Sequence, residues 1–211
     1  MADDTKTWAM IHAERAALAD LFEAFTPAQW ATSSTCDGWT VHVLGAHILA
    51  GAENDTVGFL SRMAANGFRF NTMIDRDARR LGELAPAEIV TRLRARTTTT
   101  NRPPAPAMAM LGEAVVHGAD VRTSLGLAGE AAADASIACL DMYTKANFPV
   151  GGKKRISGLR LNATDVGWTH GDGPAVSGPA TSVLLAMTGR RVGLDGLTGD
   201  GVATLRGRFA A

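Results

Sequence analysis

Glu113-Ala-Val-Val-His117 places a carboxylate and an imidazole four residues apart. On an α-helix that spacing puts both on one face, one turn above the other, where they can converge on one cation. The neighbours Met110, Leu111, Val115 and Val116 are apolar. A carboxylate in such company is costly to bury unless it is paired or ligated. His47, in the apolar run Val43-Leu44-Gly45-Ala46-His47-Ile48-Leu49, supplies a third ligand from a second helix. Helices of a bundle can bring such inward-facing side chains together in the core. Two histidines and one glutamate leave a coordination position open, the pattern of catalytic zinc, although iron, nickel and cobalt accept the same donors. Against this stands the plainer reading, in which the Glu-His pair is an ordinary intrahelical contact and His47 a hydrogen-bonded core residue.

The other chemistry-bearing residues rank lower. His12 falls on the polar side of its helix, and His42 lies in the first turn of the helix carrying His47, pointing elsewhere. His170 sits in a turn. Cys36 has no basic neighbour in sequence and reads as structural or incidental. Glu53 and Asp120 are candidate general bases for hydrolysis at the same three ligands. No nucleophile elbow, phosphate-binding loop or dinucleotide glycine fingerprint is present.

The elements that must position these residues follow from periodicity. Trp8, Ile11, Leu18, Leu21, Phe22 and Phe25 form a helical stripe ended by Thr26-Pro27. Thr40 caps a helix expected over 41–65, ended by Asn66-Gly67. Residues 68–84 read as irregular or partly helical. Pro86 opens a helix expected to reach Thr100. After the prolines of 101–106 a further helix runs to Leu125, with Gly126 as its stop, and another spans 130–148. Beyond Pro149-Val150-Gly151-Gly152 the texture changes to short runs, Ser157–Thr164 and Asp165–His170, that read as strands. Residues 179–188 read as a short helix. The expectation is an α+β protein, with a helical bundle over 1–150 and a small α/β domain over 151–211.

Composition narrows the function classes. The chain has 211 residues, 46% of them hydrophobic, enough for a real core. Lys plus Arg and Asp plus Glu balance at 21 each, so no broad basic surface for nucleic acid or anionic membrane is expected. Nothing resembles a signal peptide or a membrane span, and the two cysteines, Cys36 and Cys139, read as reduced thiols. These features point to a cytoplasmic protein.

Cys36-Asp37-Gly38-Trp39-Thr40-Val41 followed by Ala46-His47 resembles the C-x-G-W-T-V…A-H signature of the mycothiol-dependent maleylpyruvate isomerase family. Glu113 to Arg122, ending at Leu125-Gly126, resembles that family's E-x-x-x-H-x-x-D-x-R…L-G signature, and the tail from Gly171 to Arg190 resembles its C-terminal domain. The resemblance implies a DinB-like four-helix bundle with a C-terminal α/β domain. It implies one zinc held by His47, Glu113 and His117, with mycothiol as thiol cosubstrate and a small electrophile as substrate. It also points to Arg190 as a residue that binds the thiol or substrate. The chain is somewhat shorter than the isomerase, and the differences fall where substrate would be chosen. Isomerase, thiol S-transferase, hydrolase and a non-enzymatic metal- and ligand-binding protein all share the same ligands.

Overall fold

The computed structural model describes residues 2–209, the side chains of residues 2 and 3 excepted. It divides into two compact units, Met1–Ala128 and Gly129–Ala211.

The first unit is helical: α1 (Ala2–Glu23), α2 (Pro27–Ala31), α3 (Val41–Glu53), α4 (Thr56–Ala65), α5 (Phe70–Leu81), α6 (Pro86–Arg94) and α7 (Ala107–Leu125). Packing of α1 on α7 and α6, and of α3 on α7 and α6, makes a four-helix bundle, with α5 laid against α3. Leu18, Phe22, Trp30, Leu44, Leu49, Ile89 and Leu93 fill its core. Phe22, Phe25 and Trp30 meet with ring centroids 5.2–5.6 Å apart. Gly45 lets Trp30 close on α3, since a Cβ there would lie 2.9 Å from Cζ3 of the indole.

Three helix boundaries differ from expectation. The helix expected over 41–65 breaks at Asn54-Asp55, where Asp55 caps α4 by accepting from the Gly58 amide at 2.7 Å. Short polar side chains that bond nearby backbone favour caps over helix interiors. The helix from Pro86 stops at Arg94, not Thr100. The Thr97 and Thr99 hydroxyls turn back onto the carbonyls of Arg94 and Arg96, and Arg15 donates to the carbonyls of Arg96 and Thr99. Residues 70–81 form a full helix burying Met73, Ala78 and Leu81; its charged outer face had obscured it.

The second unit holds α8 (Ala133–Lys145), α9 (Gly152–Ile156), β1 (Arg160–Ala163), β2 (Trp168–His170), β3 (Ala175–Gly178), α10 (Ala180–Met187), a 3-10 turn (Arg191–Gly196) and α11 (Val202–Gly207). The sheet order is β2-β1-β3, with β1 antiparallel to β2 and parallel to β3. The third strand lies in a glycine-rich stretch that carries little strand signature of its own. Gly178 is needed there, since a Cβ would lie 2.4 Å from the Gly196 carbonyl oxygen. The division between units falls at 128/129 and not near 150. Helix α8 packs on α9 and α10, and Trp168 Nε1 donates to Asp141 Oδ1 at 2.8 Å, so α8 belongs with the sheet. Among the described residues, no helix is long and apolar enough to cross a membrane.

Leu44 is fully buried one helical turn before His47. Leu44→Ala is expected to lower the unfolding free energy of the first unit by about 2–5 kcal/mol. Denaturant titration followed by tryptophan fluorescence measures this, and a change near zero would mean that α3 is not the centre of the bundle.

Candidate metal centre

Helix α7 carries the pair and α3 the third group. His47 Nε2 lies 3.1 Å from Glu113 Oε2 and 3.2 Å from His117 Nε2, and His117 Nε2 lies 3.6 Å from Glu113 Oε2. The structure thus brings together the three residues singled out in the sequence. The imidazoles meet edge to face, with centroids 4.7 Å apart. The side chains of His47 and His117 are 8% and 12% exposed, whereas Glu113 is 40% exposed, so the cluster opens to solvent on the Glu113 side.

These separations test whether a cation fits. Zinc bound tetrahedrally at about 2.0–2.1 Å sets neighbouring ligand atoms about 3.3 Å apart. The three observed distances bracket that value. Neutral imidazoles whose lone pairs face each other repel, so a proton or a cation must lie between Nε2 of His47 and Nε2 of His117. Donor type, spacing and burial therefore all fit a divalent metal.

The support behind His117 is built from α7 and from the turn before α3. His117 Nδ1 donates to Asp120 Oδ2 at 2.9 Å. Asp120 is completely buried. Its Oδ1 accepts from Thr35 Oγ1 at 2.9 Å, and Oδ2 also accepts from the Cys36 thiol at 3.5 Å. The Thr35 amide donates to Ser124 Oγ at 2.9 Å, and that hydroxyl donates to the Asp120 carbonyl at 2.6 Å. A carboxylate on Nδ1 fixes the tautomer that turns the Nε2 lone pair toward a metal.

The turn over 33–40 is closed by an isolated bridge between Ser33 and Thr40 and by bonds from Ser34 Oγ to the carbonyls of Cys36 and Trp39. Gly38, at φ +75°, lets the chain reverse, and Thr40 then caps α3 by accepting from the Val43 amide. Trp39 packs its indole 5.1 Å from the His47 ring centroid and donates Nε1 to Asp75 Oδ1 at 2.9 Å. The Arg79 guanidinium and that indole N–H hold the Asp75 carboxyl below the usual carboxylate range.

A second grouping, Cys36, His117 and Asp120, also lies close enough to hold a metal. It shares His117 with the first triad. Its thiol and imidazole N–H are already directed at Asp120 as donors, so it is a hydrogen-bonded support and not an equivalent ligand set.

Residue types and spacing alone leave Cys36 structural, because its partners lie more than eighty residues away, and give Thr35, Asp75 and Ser124 no role. Cys36 and Trp39 stand out only through the family signature, and Asp120 through its place three residues after His117. The other histidines are bonded elsewhere: His12 to the Thr99 carbonyl, His42 to the Leu84 carbonyl at 2.9 Å. His170 stacks on Trp168. Glu53 forms a forked pair with Arg92, at 2.6 and 3.0 Å. Arg190 lies in the second unit, just beyond α10, where its Nη1 donates to the Thr188 carbonyl at 3.1 Å and its charge, after burial, depresses the pKa of Arg155.

Residues 11–105 match the family model described as the mycothiol maleylpyruvate isomerase N-terminal domain. The matched span contains the 33–40 turn and His47 and ends before α7. Among solved structures, the chain is similar to the crystal structure of a mycothiol-dependent maleylpyruvate isomerase, with a TM-score of 0.61, 15% identity, and coverage of 93% of this chain and 92% of that one. A mutant of such an isomerase, with a histidine replaced by alanine, matches with the same values. At that identity the likeness carries the fold. Comparison with curated proteins gives no match.

Burial pulls the His117 imidazole down, but its bonds to Asp120 and Cys36 and the charges of Glu113 and Asp120 outweigh it, raising the pKa to about 10. In chelator-treated protein, His117 is therefore expected to stay protonated at pH 8, which imidazole nitrogen NMR can read. The folded pKa lies above the ordinary value of 6.5. The stability this proton contributes is complete below about pH 6.5 and is lost as pH rises through about 10. Metal binding must displace the proton, so affinity is expected to rise about tenfold per pH unit across that window. A neutral His117 at pH 8 would overturn this account.

Proposed function

We propose, from the match of residues 11–105 to the mycothiol maleylpyruvate isomerase N-terminal domain model, that the protein is a metal-dependent enzyme of that family that uses a low-molecular-weight thiol, mycothiol, on a small electrophilic substrate. The observation that carries the proposal is the convergence of His47 Nε2, His117 Nε2 and Glu113 Oε2 within 3.1–3.6 Å of one another. These three residues would hold one divalent metal, zinc by preference. Bound there, the cation would supply a thiolate at neutral pH and polarise a substrate carbonyl.

The chain's own residues divide the remaining work. His47 and His117 present neutral nitrogen donors from two packed helices, whose rigidity fixes the angle between them. Asp120 accepts the hydrogen bond from Nδ1–H and keeps His117 in the ligating tautomer. Glu113, on the solvent side, offsets part of the cation's charge where thiol and substrate must enter. Trp39 shields the flank of His47. Arg190 is assigned to a carboxylate of thiol or substrate, which a guanidinium binds in a bidentate fork.

The covalent chemistry is addition of the thiol sulfur to an electrophilic carbon. Addition across a cis double bond breaks its π component and permits rotation. Expulsion of the thiol then leaves the trans isomer. An enzyme that releases the adduct instead is an S-transferase. Hydrolysis finds less support, because the candidate bases are committed: Glu53 to Arg92 and Asp120 to His117.

Purified protein is expected to hold about one equivalent of zinc, and His47→Ala to lose metal and thiol-dependent activity together, with kcat/KM falling by at least about 10²-fold. Metal analysis with a conjugation and isomerisation screen, run with and without mycothiol, decides this. Full activity after chelation, or stoichiometric metal in His47→Ala, would overturn the proposal. Metal retained with no activity toward any thiol acceptor would favour a non-enzymatic binding protein.

A further inference from the structure

Asp120 sits at zero exposure on α7, between Ala119 and Val121, where an unassisted carboxylate would be too costly to keep charged. Three side-chain donors meet it. One is His117 Nδ1. The other two, Thr35 Oγ1 at 2.9 Å on Oδ1 and Cys36 Sγ at 3.5 Å on Oδ2, are consecutive residues of one turn. That turn is anchored to α7 a second time, through Thr35 N to Ser124 Oγ. Without the Thr35 hydroxyl, Oδ1 loses that bond to the turn. The carboxylate is then less firmly aligned, which weakens its hold on Nδ1.

We propose that Thr35 and Cys36 are positioning residues for the metal centre: the hydroxyl and thiol they aim at Asp120 hold its carboxylate aligned on His117 Nδ1, and so set how tightly the His47–Glu113–His117 triad binds a divalent cation. The proposal rests on the metal-dependent reading above and deepens it. Cys36 acts here as a donor, not as a ligand or nucleophile. Its Sγ lies within donating distance of Oδ2. Neither residue belongs to the His47–Glu113–His117 triad.

The test uses the full chain and reads Zn²⁺ affinity by competition with a chromophoric chelator, separately from activity. Thr35→Val removes the hydroxyl at nearly constant shape, and Thr35→Ser restores it. Cys36→Ala removes the thiol, and Cys36→Ser replaces it with a hydroxyl donor. Outer-shell partners of ligating histidines contribute about 10–100-fold in metal affinity. The double variant Thr35→Val, Cys36→Ala is expected to lose that much, each single variant less, and the two serine variants to bind close to wild type. Thermal unfolding and circular dichroism of the same proteins show whether α7 and the turn stay folded. A cooperatively folded double variant with wild-type Zn²⁺ affinity would overturn the proposal while leaving the metal reading intact. Wild-type protein that binds no Zn²⁺ would overturn both. Binding of a second equivalent of Cd²⁺, with a thiolate charge-transfer band lost in Cys36→Ser, would show that Cys36 is a ligand and would also overturn it.

Discussion

The constraint on which the first unit depends is the meeting of four ionisable groups, His47, Glu113, His117 and Asp120, between two helices of a largely apolar bundle. Each would be unfavourable there alone. Together they form a connected cluster in which His117 Nδ1 bonds Asp120 and three ligand-type atoms face each other. A shared proton or a cation at that point removes the repulsion between facing lone pairs. The bundle is thus least self-sufficient where its chemistry would occur, and a proton on His117 or a divalent cation completes it.

The triad itself was legible because its two parts follow local rules. Glu113 and His117 share a helix face by spacing, and His47 lies in an apolar helix, where a lone imidazole calls for a partner. The bundle, the Thr40 cap and the Gly126 stop were legible for the same reason. What escaped were features set by tertiary contact. Helix α5 is visible only once Met73, Ala78 and Leu81 are seen to be buried, because its other residues are largely polar. The break at Asn54-Asp55 turns on a competition between cap and helix that hydrophobic periodicity does not register. Likewise, Thr35 and Cys36 gain meaning only from Asp120, about eighty-five positions later.

The second unit shows the same limit from another side. Its first two strands carry alternation enough to be recognised, but β3 is short and ends on a glycine that packing against Gly196 requires. Its parallel pairing with β1, across an intervening antiparallel strand, is a non-local arrangement. The placement of α8 depends on Trp168 bonding Asp141, a contact between residues that no sequence pattern links. A textural change at Pro149 marks where helix gives way to strand, which need not be where one packed unit gives way to the next.

The 33–40 turn joins these threads, because it supports both histidines at once. On one side Trp39 lies against His47 and is held by Asp75, which Arg79 braces from the same helix. Arg79 also donates to the Gly38 carbonyl, fastening the turn to α5. On the other side Thr35 and Cys36 hold Asp120, and through it His117. Eight residues thereby link α5, α3 and α7 around the cluster. Helix packing alone fixes Cα positions to within the freedom of side-chain rotamers, which is too loose for ligands that must meet within a few tenths of an ångström. The added precision comes from hydrogen bonds with defined directions, and this turn supplies them to both rings. The motif around Trp39 is therefore best understood as the support of the candidate metal centre.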